Sequence, residues 1–125
     1  MARLKSEIRV AAMMRQAQTQ GGYAALIRRG DADAGAIWVV MRGNGGLVRY
    51  SEQTGMSGAR EWFALEGLSE AELTLKLNRA VDMDPDLWVI EIENADGAAC
   101  LDGPINVPAV ESAAQSAAKA VFRDR

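Results

Sequence analysis

Apolar residues recur at helical spacing in three segments of the chain, which predicts three helices. The first covers residues 6–20, and the hydroxyl of Ser6 is expected to cap its N-terminus. The second follows Ser69, which opens a Ser-x-x-Glu capping box, and runs to about Val81. The third, over residues 109–122, is rich in alanine, and its weak apolar face suits either packing on a partner chain or fraying.

Short apolar runs between the first two helices and after the second predict strands. The predicted strands are 23–29, 36–41, 47–50, 60–65, 87–93 and 98–101. Residues 87–93 show the clearest pattern, because Trp88, Ile90 and Ile92 fall on one face of an extended chain. Residues 36–41 are apolar at every position, which is typical of a strand that is covered on both faces.

Turn residues between these runs indicate how the strands connect. Gly43-Asn44-Gly45-Gly46 and Asp96-Gly97 are typical of hairpins, and residues 51–59 are predicted to form a mobile loop. The short connections favour an α+β fold with a mainly antiparallel sheet of about five to six strands and two to three helices packed on one face. We expect one α+β domain over residues 1–104 and an alanine-rich helical extension over residues 105–125.

The composition excludes several classes of function. The 125 residues include no histidine and one cysteine, so catalytic triads that use histidine and sites built from several cysteines are ruled out within one chain. Cys100 lies among apolar residues and is expected to be a buried small hydrophobe. The chain shows neither an apolar leader nor a membrane-length apolar run, so we expect a cytoplasmic protein without a bound cofactor.

Charge is distributed unevenly along the chain. The first 50 residues carry eight basic and three acidic side chains, whereas the remainder carries six basic and fourteen acidic ones. Arginine forks match phosphate and carboxylate groups, so a basic surface in the first part is a candidate site for an anion or an acidic partner. Its candidate residues are Arg3, Lys5, Arg9, Arg15, Arg28 and Arg29. The acidic overall balance and the lack of a recognised motif argue against nucleic acid.

Acidic residues around the clearest strand provide an alternative site. Asp84, Asp86, Glu91 and Glu93 could hold a divalent metal for a carboxylate-based enzyme. We favour instead pairing of the strand glutamates with arginines of a neighbouring strand, for which Arg28, Arg42 and Arg49 are available. Asp82, Asp84, Asp86 and Glu93 are also spaced as in a calcium loop, but a strand cannot wrap around an ion.

Three segments resemble a small bacterial family of unknown function, DUF1491. They are residues 2–7, residues 28–31 together with Ala34-Gly35, and residues 84–93. The likeness spans roughly residues 2–102 and implies a common fold. It supplies no activity, cofactor or catalytic residue, and the predicted C-terminal helix lies outside it.

The sequence therefore predicts a non-enzymatic binding domain that uses its basic surface and acts with a protein partner or as a homodimer. The alternative hypothesis is the carboxylate-based, metal-dependent enzyme.

Overall fold

The computed structural model describes residues 4–43, 46–56 and 58–106. Within them the elements are α1 (Ser6–Thr19), β1 (Tyr23–Arg28), β2 (Ile37–Gly43), β3 (Gly46–Thr54), β4 (Arg60–Glu66), α2 (Glu70–Met83), β5 (Trp88–Glu93), α3 (Gly97–Cys100) and β6 (Ile105–Asn106). The predicted helix over residues 109–122 and the candidate residue Arg3 lie outside the described residues. No described helix has the length and apolar character that crossing a membrane requires.

The six strands form one mixed sheet in the order β1-β5-β2-β3-β4-β6. Three of the neighbouring pairs are antiparallel, whereas β2 with β5 and β4 with β6 are parallel. The predicted α+β fold with a mainly antiparallel sheet is therefore confirmed. The chain returns through α2 after β4 and places β5 between β1 and β2, so the strand nearest in sequence to β5 is not its neighbour in the sheet.

The sheet is covered on both faces, so the prediction of helices on one face is wrong. Ile37 and Val39 of β2 alternate with Val40, and the two sets belong to different hydrophobic clusters. One cluster includes Val10 of α1, and the other includes Leu73 of α2. A central strand that is apolar at every position needs cover on both sides, and the two helices provide it.

Helix α1 begins without the predicted serine cap. Lys5 is the N-terminal flanking residue and makes no side-chain cap, while Ser6 is already helical. The buried hydroxyl of Ser6 donates to the carbonyl of Gly35 at 2.6 Å. The N–H groups of Ser6 and Glu7 donate to the carbonyls of Asp33 and Ala32. The loop after β1 thus satisfies the start of the helix, which leaves these donors no freedom to bind an anion.

Two local predictions fail where small residues allow alternatives. Residues 51–54, predicted as a mobile loop, continue β3, and Thr54 pairs with Arg60 across a turn that contains Gly58 at positive φ. Residues 97–100, within or beside the predicted strand 98–101, form the short helix α3. Alanine favours helix over strand, and no β-branched residue opposes it there. The capping box at Ser69 is present as predicted, and Cys100 is buried.

Candidate functional site

The predicted basic surface is largely occupied by ion pairs within the chain. Lys5 Nζ lies 3.5 Å from Asp33, and Arg29 Nη2 lies 2.5 Å from Glu7. The Arg29 guanidinium also lies 5.2 Å from the centre of the Trp88 ring. Because acidic partners offset both cations, these residues do not form a concentrated positive patch.

The other predicted basic residues are dispersed. Arg28 Nη2 donates to the carbonyl of Pro85 at 2.7 Å. Arg15 is exposed on α1, and Arg9 is buried beneath the same helix at 9% exposure. The fold therefore does not gather the five candidates that the structure describes into one site, and anion binding at these positions stays a prediction.

Arg9 lies at the centre of a buried ionic network. Its Nε donates to Asp102 Oδ2 at 2.7 Å, and its Nη2 donates to Glu52 Oε2 at 2.5 Å and to Asp102 Oδ1 at 3.0 Å. Trp62 Nε1 also donates to Asp102 Oδ1, at 3.2 Å. Burial alone would raise the pKa of Asp102, but the hydrogen bond and charge of Arg9 outweigh it and lower that pKa. A carboxyl group held ionised in this way ties elements together and is poorly suited to donate a proton.

Two open depressions adjoin this network, and Arg60 borders both. They are open to solvent, with cavity volumes of about 90 Å³ and about 170 Å³. Their lining residues are Leu4, Ser6, Arg9, Asp33 and Ala34 for the first and Ala36, Glu52, Gln53 and Thr54 for the second. Arg60 Nη1 lies 3.7 Å from Glu52 Oε1, so its charge is already partly offset. Each depression is lined by charges of both signs, and the acidic side chains offset the arginines at least in part.

The acidic residues of the alternative site do not converge. Glu91 Oε2 lies 3.1 Å from Arg42 Nε, and Arg42 also pairs with Glu70 of α2. Asp84 accepts a hydrogen bond from the backbone N–H of Asp86 at 3.1 Å. Among the residues that the structure describes, no three acidic or cysteine side chains are grouped closely enough to hold a metal ion. The favoured pairing of a strand glutamate with an arginine is confirmed for Glu91.

The register of the sheet explains why Arg42 pairs with Glu91 and Arg49 does not. Residues of β2 lie beside β5, with Val40 opposite Glu91, whereas Arg49 lies one strand further away, opposite Val40. The sequence offered both arginines as partners for the glutamates. Only the strand order distinguishes them, and it leaves Arg49 without an acidic neighbour in the sheet.

Arg49 and Ser51 project from β3 on the face of the sheet that also carries α2. Ser51 lies between Trp38 of β2 and Phe63 of β4 in the cross-strand register. Arg49 is flanked in the same way by Leu65 on its β4 side. Its guanidinium carbon lies 4.9 Å from the centre of the Trp38 ring, within the range of a cation–π contact. The result is a polar pair that is bordered by aromatic and aliphatic side chains.

This pair has unused hydrogen-bonding capacity. Arg49 Nε and Ser51 Oγ are buried, and neither has a hydrogen-bond partner in the described part of the chain. Burial lowers the pKa of Arg49, with no contribution from a carboxylate. Arginine nevertheless stays charged at neutral pH. Buried polar groups are normally satisfied, so the missing partners point to a group supplied from outside the described residues.

The mixed six-stranded sheet with helices on both faces defines a small α+β domain. Residues 4–102 match the model of a family described as a protein of unknown function, DUF1491. The chain belongs to this family, and the resemblance inferred from its sequence is confirmed.

Solved structures of relatives have the same fold. A crystal structure of a DUF1491 family protein from Caulobacter crescentus CB15 shares 37% identity and superposes with a TM-score of 0.74, covering 83% of this chain and 100% of that one. An NMR structure of a DUF1491 family protein from the same organism shares 37% identity with a TM-score of 0.73. The match covers 83% of this chain and 97% of that one. The solution structure of the protein Atu0922 from A. tumefaciens shares 33% identity with a TM-score of 0.70. The match covers 83% of this chain and 99% of that one. No curated protein matches the chain.

Proposed function

We propose that this chain is a binding domain whose ligand is a small organic anion held by Arg49 and Ser51. The observation that carries the proposal is the guanidinium of Arg49, which is stacked on Trp38 without a carboxylate partner in the described residues. The basic residues near the N-terminus are weaker candidates, since Lys5 and Arg29 already have acidic partners. A cytoplasmic location is part of the proposal and rests on the sequence alone.

The geometry suits a carboxylate or a phosphate group. Side chains two residues apart on a strand lie on one face, about 6–7 Å apart, so one anionic group can accept from both Arg49 and Ser51. An arginine fork binds two oxygens of such a group at once. Because Arg49 is partly desolvated, an ion pair formed there is weakened less by water than one on an open surface.

The surroundings of the pair specify the rest of the ligand. Trp38, Phe63 and Leu65 are half-buried and flank the two polar residues across the strands. Ring faces of this kind pack against planar apolar groups. The proposed ligand therefore combines one anionic group with a flat, apolar body, such as an aromatic carboxylate or phosphate ester.

The arrangement supports binding and supplies no chemistry. Ser51 Oγ has no hydrogen-bonded base within the described residues, so nothing there activates it as a nucleophile. The alternative of a metal-dependent enzyme draws no support from the positions of Asp84, Asp86, Glu91 and Glu93. A thermal-shift screen with Mg²⁺, Mn²⁺ and Ca²⁺ tests that alternative directly.

Calorimetric titration with benzoate and phenyl phosphate tests the proposed function. We expect saturable binding of both probes, weaker binding of acetate, and no binding of benzylammonium, which has the same ring but the opposite charge. At ten times its dissociation constant, a probe specific for the native state stabilises it by about 1.4 kcal/mol, which a melting curve can resolve.

Two matched variants locate the site. Arg49→Gln is expected to abolish binding of both anions, because it removes the fork and the charge. Arg15→Gln removes an exposed arginine of α1 and should leave binding unchanged. Equal loss in the two variants, or binding of the cationic probe as tight as that of benzoate, would contradict the proposal.

A further inference from the structure

β1 forms one edge of the sheet and is apolar almost to its end. It pairs with β5 on one side, and no strand of the described residues pairs with its other side. Tyr23, Leu26 and Ile27 are 57%, 44% and 51% exposed. Soluble proteins usually protect a strand edge with lysine, proline or a very short strand. β1 spans six residues and has no charged side chain before Arg28, so its open backbone favours a further strand.

We propose that β1 pairs antiparallel with β1 of a second copy of this chain, about a two-fold axis that passes beside Ala25. The two sheets then become one continuous sheet of twice the width. A two-fold axis perpendicular to the sheet keeps each side chain on its own face, so residues opposite each other must share a face. A centre at Ala25 meets this condition.

The side chains of β1 are complementary in this register. Ala25 lies opposite its own copy, and the large Leu26 lies opposite the small Ala24, which is on the same face. Tyr23 lies opposite the irregularity at Ile27, where the pairing of β1 with β5 shifts by one residue. Leu26 therefore meets a small side chain, and Tyr23 meets Ile27 where the strand is bulged, so two large side chains are opposed only at the ends of the pairing.

Charge supports the same partner. Tyr23 lies opposite Glu93 in the register, and Arg28 lies opposite Val89. Both ends of β1 therefore face the side of the sheet that carries Glu91 and Glu93. Arg28 of the second copy therefore lies beside Tyr23, two strand spacings or about 10 Å from Glu93. None of the ion pairs of the described residues includes Glu93. Arg28 donates through Nη2 to the carbonyl of Pro85, and its buried Nε has no hydrogen-bond partner in the described residues. The second copy therefore brings a positive charge toward each Glu93, which favours this partner.

Cysteine cross-linking tests the register. Opposed Cα atoms in an antiparallel pair lie about 4.5–5.5 Å apart, within the range that a disulfide spans. Ala25→Cys should therefore give a covalent dimer under mild oxidation with diamide. In Tyr23→Cys the two cysteines are about 14 Å apart and should not cross-link. Native Cys100 is buried and serves as the background in both variants. Equal cross-linking of the two variants would overturn the proposed register.

Analytical ultracentrifugation tests the interface without a new bond. We expect a wild-type dimer whose dissociation constant rises at least about tenfold in Leu26→Lys. Leu75→Lys is the matched control, because Leu75 is 65% exposed and belongs to α2, outside the proposed strand pairing. Circular dichroism verifies that both variants are folded. A monomeric wild type at millimolar concentration, or dissociation by Leu75→Lys to the same extent, would overturn the proposal.

Discussion

Replacing Arg9 by methionine removes the cation from the buried network and leaves two carboxylates behind. Methionine retains the length and much of the apolar stem of arginine, so the change acts mainly on charge. Removing one partner of a buried ion pair typically costs about 3–5 kcal/mol, because the remaining charge is buried without compensation.

The structure places the expected cost at the lower end of that range. Glu52 has only 3% of its side chain exposed, but it still accepts from the backbone N–H of Ile37 and lies near Arg60. Asp102 is 30% exposed and keeps its hydrogen bond from Trp62. We therefore expect Arg9→Met to lower the free energy of unfolding by about 3 kcal/mol.

Urea denaturation followed by circular dichroism measures this effect. With an m-value of about 1.5 kcal/mol per molar, the midpoint should fall by about 2 M. Arg15→Met on the exposed side of α1 is the control and should change stability by less than about 0.5 kcal/mol. If Arg9→Met came within about 1 kcal/mol of that control, the network would not stabilise the fold as argued.

Three further predictions concern other parts of the fold. Because the pKa of Asp102 is lower in the folded protein, this carboxylate stabilises the fold at pH values above its unfolded pKa of about 3.9. The stabilisation is lost as the pH falls through the folded pKa, so urea midpoints should drop as the pH is lowered from about 4. Ser69→Ala removes the capping box and should cost about 1 kcal/mol in thermal or urea unfolding. Gly35→Ala should cost about 1–3 kcal/mol, because its Cβ would overlap the carbonyl of Asp86. Gly43→Ala, in open space, is the control and should be nearly neutral.

The sequence predicts well those elements that are specified by neighbouring residues along the chain. The capping box at Ser69 and the alternation along Trp88–Glu93 reappear in the structure as expected. The parallel pairing of β2 with β5 has no such signal, since it depends on the return of the chain through α2. The helical state of α3 also lacks a local signal, because the small side chains of residues 97–100 fit either a strand or a helical turn.

The candidate site depends almost entirely on long-range contacts. Arg9 and Asp102 are 93 residues apart in sequence, so the sequence identified the arginine but not its partner. Arg49 was recognised only as a partner for strand glutamates. Its isolation from carboxylates follows from the strand order, which places β2, with Val40 in register, between Arg49 and the glutamates of β5.

NMR of the arginine Nε–Hε groups during titration with phenyl phosphate observes the proposed anion site most directly. The Arg49 resonance, assigned by its loss in Arg49→Gln, should shift saturably as the phosphate binds. The Arg9 resonance should stay in place, because its Nε already donates to Asp102. An Arg49 resonance that does not move, or arginine resonances that all move alike, would contradict a specific anion site at this residue.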